Sequence, residues 1–242
     1  MASNPTTIRI GVLALPDTQL LDVACVDVFG NASREYLDLL SAAMPPVAAL
    51  ARLAPSVSIS YVSTVQPGEP IHATSSAKLL CSHHVSDPAV RPGTLDVVFV
   101  PGVDPTASFS SETTDWLAAH GAHERTDILS VCTGIYLCGQ AGLLKGRKVC
   151  GPRDLQQDLT QTFNGHGATF LGHELRWVQD GNFWSSALDW PATDYLLLSG
   201  GITNGNDMVA AYLRQSEKWP KDIAELAIRS TDVGERPQRF SE

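Results

Sequence analysis

Apolar positions along the chain alternate between short unbroken runs and wider, helical spacings. Ile8–Leu15 is an apolar run, with Arg9 its one charged position, closed by Pro16-Asp17-Thr18, which predicts a first buried strand. Leu20–Phe29 carries its apolar residues at helical spacing, and that character extends past Arg34 towards Leu40. Ser56–Ser63 alternates like a strand, and Ile71–Leu80 reads as a strand pair or as strand and loop. Leu95–Val100 is a β-rich run that stops at Pro101-Gly102. Ser111–His120 predicts a helix with acid in its first turn, and Ile128–Val131 another buried strand. Thr133–Leu144 follows as a helix, with Gly146 as its C-cap.

The second half is less regular. Asp154–Thr162 reads as helix and Gly165-His166-Gly167 as a turn. Leu175–Gln179 and Asn182–Ser186 form a hairpin pattern around Asp180-Gly181. Gly200-Gly201 precedes a final helix over roughly Asn206–Gln215, and the polar tail after Thr231, with Gly234 and Pro237, is expected to be loosely ordered. Short apolar strands alternating with helices predict an α/β protein with a parallel sheet covered on both faces. Ligands of such sheets bind at the carboxyl ends of the strands, where both Pro101-Gly102 and Cys132 fall. A length of 242 residues suits one large domain, residues 1–230, followed by a polar tail, 231–242.

Composition narrows the function. The chain is 43% apolar and 18% charged, which is ordinary for a soluble protein, and its net charge is -9. That charge repels phosphate backbones, so no nucleic-acid partner is expected; the clearest basic cluster, Lys145, Arg147 and Lys148, is short. The apolar run near the start is too short to span a bilayer and Met1–Thr7 is polar, so no membrane partner and a cytoplasmic location are expected. The cysteines are Cys25, Cys81, Cys132, Cys138 and Cys150. Their odd number and the lack of a C-x-x-C pair argue against a disulfide framework or structural zinc. Cys81, Cys138 and Cys150 read as small buried hydrophobes.

The stretch that carries chemistry is Ser130-Val131-Cys132-Thr133-Gly134, between a buried strand and a helix. A helix start offers partial positive charge and free N–H groups, so a cysteine there is expected to have a lowered pKa and a nearby oxyanion site. Gly134 lets the chain pack closely behind the nucleophile, as in the elbow of G-x-S-x-G hydrolases with sulfur in place of oxygen. On its own the pentapeptide fits a reactive thiol and a buried inert cysteine equally well.

Four motifs, in order, tip that balance. Val98-Phe99-Val100-Pro101-Gly102, then Ser130–Gly134, then Ala141-Gly142-Leu143-Leu144-Lys145-Gly146-Arg147-Lys148, then Gly200-Gly201-Ile202-Thr203 together resemble the ThiJ/PfpI superfamily. Within it the chain is most similar to isonitrile hydratase and its fungal relatives, which also share a first strand ending in proline with Leu-Asp soon after, here Pro16 and Leu21-Asp22. The resemblance runs from about Ile8 to Gln215. It implies a flavodoxin-like three-layer sandwich of the class I glutamine amidotransferase type, usually a homodimer. It implies Cys132 as nucleophile, Asp22 as the acid near the sulfur, and Thr133 as a residue that hydrogen-bonds substrate or water. The amides of Gly102 and Val103, with that of Thr133, would line the oxyanion site. Read alone, Asp22 is a first-turn helix aspartate and Thr133 a β-branched residue at a helix start.

The sequence departs from the family pattern at several points. Val103 stands where many relatives have a second glycine, and Cys25-Val26 where a Gly-Pro pair is common. Cys150-Gly151-Pro152-Arg153 holds no histidine where relatives often carry one, and His83 and His84 read as solvated residues of a polar loop. Ala187–Ser199, with Trp190, Pro191 and Tyr195, is interposed before the Gly-Gly-Ile-Thr segment.

The implied function is hydration of an isonitrile, a small-molecule substrate, to an N-substituted formamide by covalent catalysis with a general acid. That chemistry needs no cofactor, and no phosphate-binding glycine loop or metal-ligand cluster is visible. The alternatives are a related enzyme acting on glyoxals or another electrophile, and a redox-sensing or protective thiol protein.

Overall fold

A computed structural model describes residues 6–187 and 203–241. In chain order the strands are β1 (Thr7–Leu13), β2 (Ser56–Ser63), β3 (Pro70–His72), β4 (Lys78–Leu80), β5 (His83–His84) and β6 (Val97–Val100). They continue as β7 (Asp127–Val131), β8 (Lys148–Val149), β9 (Thr169–Phe170), β10 (Trp177–Asp180) and β11 (Phe183–Ser186). Seven of them form the central sheet in the order β10-β11-β7-β6-β1-β2-β5, and β3-β4 and β8-β9 are separate ribbons. Every pairing in the central sheet is parallel except the β10-β11 hairpin.

Strict alternation along these strands feeds two cores. Val97 and Phe99 of β6 point into one, Val98 and Val100 into the other. The first core is closed by helices Asp27–Asn31, Arg34–Ser41, Val47–Ala51, Thr203–Gln215 and Lys221–Thr231. The second is closed by Ser111–Gly121, Gly134–Gln140 and Gln156–Thr162. Helices on both faces of a largely parallel sheet make the flavodoxin-like α/β sandwich. The chain runs outward from β1 through β2 to β5, then returns to β6 on the other side of β1. The reversal opens a crevice at the carboxyl ends of β1, β6 and β7.

Three sequence expectations need correction. The helix expected over Thr133–Leu144 ends at Gln140, because Gly142 takes a left-handed φ of 77° and the Leu143 N–H closes onto the Cys138 carbonyl. Gly146 therefore caps no helix. A further helix, Lys221–Thr231, follows the one thought to be last. Residues 232–241, expected to be loose, dock on the body. The Gly234 N–H and Arg236 Nε donate to the buried Asp207 carboxylate at 2.9 and 2.7 Å, and Phe240 lies between the Arg153 and Arg176 guanidiniums. A buried carboxylate requires donors, and the tail supplies them.

Candidate active site

Cys132 follows directly on β7 and precedes helix Gly134–Gln140. Its φ of +57° is left-handed, which is uncommon for a residue bearing a Cβ. The elbow is held from behind by Gly134: a Cβ there would lie 2.5 Å from the Val100 carbonyl oxygen and 2.7 Å from that of Pro101. Only glycine fits between the turn and the end of β6.

Asp22 arrives from the short helix Leu20–Ala24 and is fully buried. Its Oδ2 accepts the Gly102 N–H at 2.9 Å, and its Oδ1 has no partner at hydrogen-bonding distance among the described residues. Burial pushes this carboxyl up to about 6, against the pull of the Gly102 N–H and the Cys132 thiol. Gly102 has to be glycine for this contact, since a Cβ would sit 2.3 Å from Asp22 Oδ2 and 3.0 Å from Thr133 Oγ1.

Two of the three amides expected to line an oxyanion site are engaged within the protein, and the third, that of Thr133, faces the Cys132 sulfur. The Gly102 N–H goes to Asp22, and the Val103 N–H goes to Thr133 Oγ1 at 3.1 Å. The Thr133 hydroxyl in turn donates to the Val103 carbonyl at 2.7 Å. Thr133 thus ties the elbow to the loop after β6, and its hydroxyl proton is engaged within the protein. Cys132, Asp22, Thr133, Gly102, Val103 and Gly134 nevertheless meet in one cluster.

The lowered thiol pKa expected at a helix start is corrected. Burial and the Asp22 carboxylate push the Cys132 thiol up, and the Thr133 N–H pulls it down only in part. A helix of seven residues behind the thiol is too slight to offset its near-complete burial. The sulfur and the carboxyl form a buried pair in which an added negative charge on either member disfavours ionisation of the other.

Sequence reasoning missed two residues. Gln19, at the N-cap of helix Leu20–Ala24, places its Oε1 3.8 Å from Cys132 Sγ. A glutamine at a position that favours Ser, Thr, Asp or Asn was the available signal. Gln156 is buried and holds the Cys150–Arg153 loop: its Nε2 donates to the carbonyls of Gly151 and Pro152, and its Oε1 accepts the Gly172 N–H. His83 and His84 bond to Asp87 and Ser86. Among the described residues no group of three or more His, Cys, Asp or Glu is placed to hold a metal, and no helix is long and apolar enough to cross a membrane. Leu188–Ser199 of the interposed segment and the Gly200-Gly201-Ile202 motif lie outside the described residues.

Comparison with known proteins matches this architecture. A family model described as DJ-1/PfpI family matches residues 41–197. A ThiJ/PfpI family protein from Pseudomonas syringae superposes with a TM-score of 0.65 at 22% identity, covering 97% of this chain and 77% of that one. Drosophila melanogaster DJ-1beta gives 0.65 at 13% identity, over 94% of this chain and 99% of that one. Schizosaccharomyces pombe DJ-1 gives 0.63 at 13%, over 95% and 100%. At these identities the solved structures speak for the fold alone. The curated proteins give no match.

Proposed function

The chain belongs to the DJ-1/PfpI family, and from that premise we propose that it is a cysteine-dependent enzyme that adds water to a small electrophile. Our reading of the substrate is an isonitrile, converted to an N-substituted formamide. One observation carries the reading: a cysteine in left-handed backbone, buried against a carboxyl group that has no cation beside it among the described residues.

In this scheme the Asp22 carboxylate takes the Cys132 proton as the sulfur attacks the terminal isonitrile carbon. A C–S bond forms, the carbon gains carbanion character, and Asp22 returns the proton to that carbon. The product is a thioimidate on Cys132 and an ionised Asp22. Water then adds across the C=N bond, oxygen to carbon and hydrogen to nitrogen. Collapse of the tetrahedral adduct breaks the C–S bond, releases the formamide and leaves the hydroxyl proton with the thiol. The balance is one isonitrile and one water per formamide. A carboxyl poised near neutral pH suits this double use as base and acid. The same reading takes the protein as a cytoplasmic homodimer.

The test is formamide production from a simple aryl isonitrile, followed spectroscopically, with methylglyoxal assayed in parallel. Turnover that disappears in Cys132→Ser supports the proposal. Turnover of methylglyoxal alone moves the activity to carbonyl substrates. No turnover of either favours a protective thiol protein.

A further inference from the structure

The Thr133 N–H faces the sulfur, and the site as described has little else to stabilise negative charge there. Attack by Cys132 requires the sulfur to become anionic in a buried setting, yet the Gly102 and Val103 N–H groups are already bonded to Asp22 and Thr133. Gln19 is the neighbour with a donor to give. Its backbone is fixed: its N–H donates to the Gly102 carbonyl at 3.1 Å, and its own carbonyl accepts the Asp22 and Val23 N–H groups. Its side chain makes no capping bond to the helix it starts. Instead the amide lies over the thiol, with Oε1 3.8 Å from Sγ, and the absence of a side chain at Gly102 lets it pass, since a Cβ there would be 3.2 Å from Gln19 Cδ. Asp22 is buried, Cys132 and Thr133 nearly so, and Gln19 is half-buried, so Gln19 forms the solvent side of the cluster.

We propose that Gln19 is the charge-stabilising donor of this site, turning its amide NH2 towards the Cys132 sulfur when the thiol loses its proton. A primary amide carries an acceptor and a donor on one plane. While Sγ bears hydrogen, Oε1 accepts it. Once the proton moves to Asp22, an acceptor facing an anion is repelled, and rotation about the terminal bond of the side chain brings Nε2–H in its place. The same donor then faces the adduct as charge develops on it. The inference rests on the reading of Cys132 as nucleophile. Among the described residues, the charged group facing the sulfur is Asp22, from helix Leu20–Ala24; the elbow contributes the uncharged Thr133 N–H, its hydroxyl proton being spent on the Val103 carbonyl.

The experiment is the rate of Cys132 alkylation by iodoacetamide against pH, read by mass spectrometry on the full chain, for wild type, Gln19→Met and Gln19→Glu. No isonitrile turnover is needed. Loss of a hydrogen bond to a charged group predicts a fall of about tenfold at neutral pH in Gln19→Met, with the profile displaced to higher pH. Gln19→Glu, which replaces the donor by a second carboxylate, falls at least as far. Unchanged thermal midpoints show that the variants fold, and two variants guard against failure of one. Profiles that superpose on wild type overturn the role of Gln19 while leaving Cys132 as nucleophile. A wild-type Cys132 that resists alkylation across the pH range overturns both.

Discussion

The two ends of strand β7 (Asp127–Val131) carry the two most instructive polar clusters of the molecule, and they are built on opposite principles. At the amino end Asp127 is neutralised. Its Oδ2 accepts the Tyr212 hydroxyl at 2.8 Å and lies 2.6 Å from Lys218 Nζ, in a partly open cavity of about 470 Å³. At the carboxyl end Asp22 is fully buried, holds one backbone N–H and faces a thiol, with no cation among its described neighbours. A satisfied carboxylate contributes to the fold. A buried carboxylate without a counter-ion costs stability, and in the mechanism we propose it is the group that moves the proton.

Breaking the carboxyl-end cluster has the larger expected effect on chemistry. Cys132→Ser is expected to lower turnover by about a thousandfold or more while leaving the thermal midpoint near wild type, measured by formamide assay and calorimetry. Asp22→Asn keeps an acceptor for the Gly102 N–H and removes the proton carrier, so turnover falls on the order of 100-fold. In the same variant the thiol stays alkylatable and ionises at lower pH, because the carboxylate that opposed its ionisation is gone.

The amino-end cluster should respond in the other currency. Asp127→Ala strands the buried Tyr212 hydroxyl and the Lys218 ammonium, and a loss of roughly 1–3 kcal/mol in chemical denaturation is expected, with alkylation of Cys132 unchanged. A fall in alkylation there would erase the distinction between the two ends.

Stability against pH sharpens the contrast further. The Asp22 carboxyl is raised from 3.8 to about 6, so between those values the folded protein binds a proton that the unfolded chain has lost. Stability contributed by the neutral acid is therefore present at low pH and lost as pH rises through about 6. Asp22→Asn removes that slope. The variant should be more stable than wild type at pH 7, by an amount on the order of 1–3 kcal/mol, with the difference closing towards pH 4. Denaturant titrations at the two pH values read it directly.

Much of this arrangement was legible in the sequence. Apolar runs gave β1, β6 and β7, because strands between two cores bury nearly every side chain; the exposed Thr7 and Arg9 fall at the start of β1, outside its fully buried stretch Ile10–Leu13. The Ser130–Gly134 motif located the elbow. What local pattern could not supply was occupancy. That Val103 and Gly102 would spend their N–H groups on Thr133 and Asp22 depends on contacts 30 and 80 residues apart in the chain. Burial was equally out of reach, and it is what turns the expected drop in the Cys132 pKa into a rise. Beyond its place at an N-cap, Gln19 has no local signature because its side chain is defined by a partner 113 residues away. The polarity of the tail suggests solvent, whereas its donors answer Asp207.

The most direct test of the account is site-resolved labelling of the five thiols in the native protein with limiting iodoacetamide. All five are free and buried, so exposure alone sets none of them apart. The account predicts that Cys132 is labelled well ahead of Cys25, Cys81, Cys138 and Cys150, and that its lead depends on pH through Asp22. Equal labelling of all five, or a different cysteine labelled first, would contradict the assignment of Cys132 as the reactive centre.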